Sequence, residues 1–412
     1  MRTPKALVLA VLAASFFTLA QTARATDLSS AQARTIRVGA LFSLTGNQSA
    51  SGIASVEALD LASQDIHDQW ASLGLRLWVD VDVEDTGMKP EEALVKLKRL
   101  ASRGIRVVIG PETSAELAAI RDFADSKGIL VVSTASTASS LAVRGDNVFR
   151  FCAGEALEGD ATAALMWADG IRTLVPIWRN DVGMRGLASA TGASMAKLGA
   201  AVAAGVSYEP ATTDFAPFVA ELSRKVREAG ARPGAGPVGV YFCSFDEAGS
   251  VLSLAAADTD LSKVRWYGSD GITQSPVLLA DAKAAAFAES AGFPAPAPGL
   301  DDAAKDIWGP LSERIASRTG SVPDAYSLGA YDALWVSVLA TLQAEERRGD
   351  RILARALTAN ANRYWGATGA TTLDAAGDRK VGNFDFFAIR LKDGARKWVR
   401  VARYVNGMLL RD

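Results

Sequence analysis

The chain has 412 residues, 49% apolar and 22% charged, with 36 Gly, two Cys, one His and a formal net charge of −2. This is the composition of a folded globular protein long enough for two domains, because single cores stop growing near ~250–300 residues. The near-neutral balance excludes the basic footprint of a nucleic-acid or anionic-lipid binder, and a lone histidine, His67, excludes a His₂ or His₃ metal site. His67 lies in IHDQW, on the polar side of a predicted helix, and reads as a solvated surface residue.

Residues 1–25 read as an address. Arg2 and Lys5 form a positive start, ALVLAVLAASFFTLA follows as an apolar core, and Ala23-Arg24-Ala25 offers small residues around a cleavage point. The uninterrupted apolar run is short for a membrane span of ~20 residues, so a secretory signal peptide cleaved after Ala25 is expected. Cleavage removes three of the 44 cations and none of the 46 anions, leaving a net charge of −5. The mature chain is expected in the periplasm, with no membrane insertion and, since no cysteine follows the cleavage point, no lipid anchor.

Strand-like and helix-like runs then alternate. IRVGALFSL (36–44) is a short apolar run, and Val56, Leu59, Ala62, Ile66 and Trp70 recur at helical spacing. LWVDVDVED (77–85), a helix opened by Pro90, RVVIGP (106–111), a helix from Ser114 and LVVSTAS (130–136) continue the pattern. Gly74, Gly104, Gly128, Gly170 and Gly199 each stand where a helix must stop before an apolar run. Such alternation predicts an α/β fold in which helices cover both faces of a parallel sheet. The second half restarts it with FRFC (149–152), TLVPIW (173–178), AVAAGVSY (201–208), VGVYFCSF (238–245) and VRWYGSDG (264–271). After an alanine-rich helix, AGFPAPAPG (291–299) reads as a linker, helices are predicted near 301–319 and 324–345, and two strands flank the turn Lys392-Asp393-Gly394. Cys152 and Cys243 both fall in strand-like runs, and either one long-range disulfide or two buried thiols fits that placement.

Motifs for covalent chemistry are scarce: there is no phosphate loop, no G-x-S-x-G elbow and no Cys-x-x-Cys. Hydroxyl residues instead cluster where strands hand over to helices, at Thr113-Ser114 and from Ser133 to Thr137. Ligands of parallel sheets bind beyond the carboxyl ends of strands, where helix N-termini favour an anion. Ordinary N-capping explains the same residues. Asp270, at the end of VRWYGSD, is placed either to receive a ligand ammonium or to close a turn.

The ordered series TG-x₅-G (Thr45, Gly46, Gly52), VVIGPETSAEL, GILVVSTASTASSL, FRF, TDFAPFVAEL, YGSDG, AYDALW and GATGATTLDAAGDR resembles the leucine/isoleucine/valine-binding protein family, over about residues 35–404. These are type I periplasmic solute-binding proteins of ABC importers. The resemblance implies two doubly wound α/β lobes joined by three crossings, near residues 150–155, 287–297 and 384–388. Lobe 1 would combine 34–152 with 294–384, and lobe 2 would combine 153–293 with 385–412. It also implies that Ser114, Ala135, Ser136 and Thr137 hold a ligand carboxylate while Asp270 meets its ammonium. Where members often carry a tyrosine on the ligand, this chain has Ser51 and Gly183; Phe245 and Trp178 are candidate replacement walls. Two missing rings predict a larger or re-shaped pocket.

The function implied is capture of a small polar solute, an amino acid or a related amide or carboxylate, in the interlobe cleft, with delivery to the membrane subunits of an ABC permease. The protein is expected to be a monomer without cofactor, metal or catalytic residue. A sensor feeding a membrane receptor is the alternative on the same fold. An exported α/β enzyme built on Asp82, Glu84 and Asp85 is the third reading, although alternation in VDVDVED most simply places Asp80, Asp82 and Glu84 on one exposed or edge face.

Overall fold

The computed structural model describes residues 33–46, 48–345 and 351–412, so the expected signal peptide lies outside the described residues. The chain begins β1 (Arg34–Phe42), α1 (Ser49–Ser72), β2 (Leu77–Asp85), α2 (Pro90–Ser102), β3 (Val107–Ile109), α3 (Ser114–Lys127), β4 (Leu130–Ser133) and β5 (Val148–Ala153). It continues α4 (Glu155–Ala168), β6 (Thr173–Arg179), α5 (Val182–Lys197), β7 (Ala201–Val202), β8 (Val206–Tyr208), α6 (Ala216–Gly230), β9 (Val238–Cys243), α7 (Ala248–Ala255) and β10 (Arg265–Gly268). Short helices α8 (Pro276–Ala280) and α9 (Ala282–Ser290) lead to β11 (Ala295–Pro298), then α10 (Lys305–Thr319), α11 (Ala325–Glu345) and α12 (Ile352–Ala361). The two-residue strands β12 (Trp365–Gly366), β13 (Gly369–Ala370) and β14 (Asp378–Arg379) precede β15 (Phe384–Lys392), β16 (Ala395–Val405) and β17 (Met408–Arg411).

Local chemistry explains the boundaries. Pro90 opens α2, where its missing N–H is not needed. Thr113 and Glu116 form a reciprocal capping box at the start of α3. The five glycines predicted to end helices all have positive φ, between 61° and 95°, a conformation that costs other residues strain.

The first sheet is parallel throughout, in the order β14-β5-β4-β3-β1-β2. One face carries α1, α10, α11 and α12, with Phe42, Ile66, Ile109, Val132 and Leu334 buried between them. The opposite face carries α2 and α3 over Leu41, Val108 and Val131. A second parallel sheet, β10-β9-β6-β7 with β8 also on β6, is likewise covered on both sides. The fold is therefore α/β with two doubly wound units. On the edge strand β2, Asp82 is ion-paired to Arg103 at 2.5 Å and the buried Glu84 to Arg99 at 3.2 Å, while Asp85 accepts from the Leu44 amide at 2.9 Å and the Thr45 hydroxyl at 2.7 Å, so the acidic run is engaged within the protein.

Several expectations are corrected. Residues 201–208 do not form one strand but split into β7 and β8, because the chain at Gly205 presses so closely on β6 that a Cβ there would lie 2.3 Å from the Pro176 carbonyl oxygen. The linker reading of 291–299 fails: Ala295–Pro298 form β11, antiparallel to β15, at the outer edge of a four-stranded sheet β11-β15-β16-β17. An edge position tolerates Pro296 and Pro298 because a missing N–H there need not serve both neighbours. These four residues thereby join the sheet whose Ile389 and Phe386 pack with the second unit. Cys152 and Cys243 are both free, buried thiols. His67 is only half exposed, stacked on Trp78 with ring centroids 3.7 Å apart. Helix α12 and strand β17 went unpredicted.

Candidate functional site

The carboxyl ends of the two sheets face one enclosed cavity. From the first unit, the start of α3 brings Thr113 and Ser114, and the loop after β4 brings Ala135 and Thr137. That loop is braced from behind. Ser133 Oγ donates to the Pro111 carbonyl at 2.6 Å and accepts from the Ser136 amide at 3.1 Å. Arg150, only 2% exposed, is bidentate on Asp378 and donates to the Ala138 carbonyl at 2.6 Å and the Ser136 carbonyl at 3.3 Å. Its guanidinium thus holds the loop in place from outside the cavity.

Seven of the eight residues singled out from the sequence line this cavity: Ser51, Ser114, Ala135, Thr137, Gly183, Phe245 and Asp270. Ser136 does not reach the wall; its hydroxyl lies 2.9 Å from that of Ser114, one layer back. Ser114 Oγ also accepts from the Ala138 amide at 3.2 Å, while capping of α3 falls to Thr113. Both residues line the cavity, but only Thr113 caps the helix, while the Ser114 hydroxyl is tied to the loop after β4. Trp178 is not on the wall but packs over Gly205.

The wall from the second unit centres on Asp270. Its Oδ2 accepts a 2.6 Å hydrogen bond from the Tyr326 hydroxyl, and its backbone amide donates to Glu158 Oε1 at 3.2 Å. Asp270 Oδ1 is buried and has no hydrogen-bond partner among the described residues. Burial pushes the Asp270 carboxyl up to about 6, against the lowering effect of the Tyr326 hydroxyl. Burial, then the neighbouring Asp270 charge, raises Glu158 as well. Two carboxyls this close cannot both ionise cheaply without a cation beside them.

Tyr326, Glu112, Asp324, Gln48, Met88 and Met184 also line the cavity and were not anticipated. The Tyr326–Asp270 bond joins α11 of the first unit to the second. Gln48 adds two further bridges, its amide to Asp246 Oδ2 at 3.1 Å and its side-chain Nε2 to the Gly271 carbonyl at 2.8 Å. The units are thus closed on each other. At position 183, where relatives often carry a tyrosine, a Cβ would stand in ordinary van der Waals contact with Ser114 Cβ at 3.4 Å, so α5 and α3 come close together here. Met88, Met184 and Phe245 contribute apolar surface to the wall.

A family model described as periplasmic binding protein matches residues 35–395. The chain belongs to that family. A Leu/Ile/Val-binding protein homolog of Brucella melitensis biotype 1 is 24% identical over 366 residues, 85% of this chain and 90% of that protein. Among solved structures, the branched-chain amino acid transporter substrate-binding protein LivJ of Streptococcus pneumoniae, in complex with isoleucine, superposes with a TM-score of 0.69 at 18% identity, covering 89% of this chain and 99% of its own. A solute-binding protein from R. palustris in complex with benzoate gives 0.67 at 20% identity, over 89% of this chain and 96% of its own. The fold is the type I periplasmic binding protein fold, and family and fold are those of solute-binding proteins, not of enzymes. No helix among the described residues is long and apolar enough to cross a membrane, and no group of three His, Cys, Asp or Glu among them could hold a metal ion.

Proposed function

We propose that this periplasmic binding protein captures an amino-acid-like zwitterion in the cavity between its two α/β units and delivers it, in the closed form, to an ABC permease at the periplasmic membrane face. The observation that carries this reading is the polarity of the cavity. On one side stand the N-terminus of α3, Ser114 and Thr137, a setting that favours an anion. On the other stands Asp270, with a buried carboxyl oxygen that lacks a partner among the described residues and would be satisfied by a ligand ammonium. A ligand carrying both charges would bridge the units and stabilise their closure. The isoleucine and benzoate held by the solved relatives each carry a carboxylate, in keeping with the anion end.

The test is thermal unfolding of the purified protein with α-amino acids and with the matching carboxylic acids that lack the amino group. A ligand at ~1,000 times its Kd adds roughly 4 kcal/mol to the native state. The expected result is a midpoint shift with one or more amino acids, reduced for the deaminated analogues and abolished by Asp270→Ala. Equal shifts with and without the amino group, or an undiminished shift in the variant, would remove Asp270 from the ammonium role.

A further inference from the structure

The cavity holds one more carboxyl that a simple zwitterion leaves unanswered. Four acidic side chains, Glu112, Asp181, Asp270 and Asp324, line the wall, and among the described residues no Lys, Arg or His does. Two of the four are answered within the protein. Asp181 receives the Arg179 guanidinium at 2.9 Å and caps α5 through the Met184 amide. Asp324 accepts from the Ser327 amide at 2.7 Å, from the Ser327 hydroxyl at 2.8 Å and from the Ser51 hydroxyl at 2.6 Å. Asp270 is the residue to which the zwitterion reading gives the ligand ammonium.

Glu112 remains. It sits in the loop between β3 and α3 with only 8% of its surface exposed. Its hydrogen bonds lie at the limit of bonding distance, Ser55 Oγ to Oε1 at 3.4 Å and the Ser43 amide to Oε2 at 3.5 Å, and the nearby Ser51 hydroxyl, which also approaches it, commits its one proton to Asp324 at 2.6 Å. Among the described residues no cation lies within ion-pairing distance of it. Burial, then the charges of Asp324 and Glu116, pushes its carboxyl up to about 8. An aliphatic ligand side chain laid against this group would seal it from water and give it nothing in return.

We propose that Glu112 determines specificity by receiving a second, distal ammonium or guanidinium, so that the ligand is a basic amino acid and not an aliphatic one. The inference rests on the zwitterion reading for the α-carboxylate and α-ammonium, and adds the charge at the far end of the side chain. Glu112 and Asp270 together then meet two ligand cations, and the α3 end meets the carboxylate. The cluster of carboxyls alone would not support this. What sets this site apart is the shared cavity between the units, the weakly bonded and nine-tenths buried Glu112, and the orphaned oxygen of Asp270.

Calorimetric titration of the purified protein with lysine, arginine, norleucine, leucine and cadaverine tests it. Lysine and norleucine differ chiefly in the terminal ammonium, and a site built to bond that group should favour lysine or arginine by roughly 100-fold or more. In Glu112→Leu the preference should move toward norleucine by a similar factor. Glu112→Gln, which keeps the shape and the hydrogen-bonding capacity, should lose affinity for lysine while leaving norleucine unchanged; a buried acid with a merely structural role would not alter that ratio. Leucine or norleucine binding as tightly as lysine and arginine would overturn the proposal and leave the amino-acid reading standing. Cadaverine binding where lysine does not would keep the role of Glu112 and remove the carboxylate end of the zwitterion reading. Absence of binding across all five compounds would overturn both.

Discussion

Glu112 allows a stability prediction that needs no ligand. Its carboxyl has an ordinary value of 4.5 and is pushed up to about 8 in the fold. A folded-state value above the unfolded one means that the native protein holds this proton more tightly than the unfolded chain does. The stabilisation is present in full below about pH 4.5 and is lost as pH rises toward 8. The span corresponds to on the order of 5 kcal/mol at 1.36 kcal/mol per pKa unit, of which roughly 3.5 kcal/mol is lost between pH 5 and pH 8. At ~2–4 °C per kcal/mol for units of this size, the midpoint of the ligand-free protein should fall by roughly 7–14 °C between pH 5 and pH 8 from this residue alone. Glu112→Gln removes the ionisation while preserving shape. Asp270 and Asp146, each raised to about 6 by burial, remain in both proteins and cancel in the comparison. Thermal unfolding of wild type and variant at both pH values should show the variant's midpoint falling much less than the wild type's, with the variant the more stable of the two at pH 8. Parallel losses in the two proteins, or a variant less stable than wild type at pH 8, would refute the account of a buried carboxyl held in waiting for a cation.

Two further outcomes are expected. Gly52→Ala places a Cβ 2.0 Å from the Ser43 carbonyl oxygen, a backbone atom that cannot swing away, so urea unfolding should show a loss of roughly 2–3 kcal/mol; a change below about 0.5 kcal/mol would show that α1 shifts freely. Arg150→Ala strips Asp378 of its buried partner and frees the Ser136 and Ala138 carbonyls, and the same measurement should lose ~3–5 kcal/mol with weakened ligand binding; retention of full stability would mean that the loop after β4 is held by other contacts.

Much of the architecture was legible because it is written locally. Pro90, the capping residue Thr113 and the five helix-ending glycines act within a few residues of themselves, and apolar periodicity separates strand from helix without knowledge of partners. Where the reading failed, a distant neighbour decided. The interruption at Gly205 exists because β6 passes beside it, and Ala295–Pro298 become a strand because β15, almost 90 residues later, offers its edge. The same holds at the site. Ser114, Thr137 and Asp270 stand at strand ends and were found by topology, whereas Glu112 in the loop after β3 and Tyr326 on α11 look unremarkable in sequence. Four acidic residues scattered from 112 to 324 carry no shared signal until the fold gathers them around one cavity.

The sequence by itself thus determined the alternation of strands and helices, the α/β class and the hydroxyl-rich strand ends, since these depend on spacing and on the conformational limits of single residues. Tertiary structure alone decided which carboxyls are buried and which find partners. Arg179 neutralises Asp181 and serines satisfy Asp324, while Asp270 keeps one oxygen unbonded among the described residues and Glu112 has no cation and only weak contacts. The charge that a ligand must bring is set by that balance, and desolvation acts on groups according to what surrounds them in space, not according to their position along the chain.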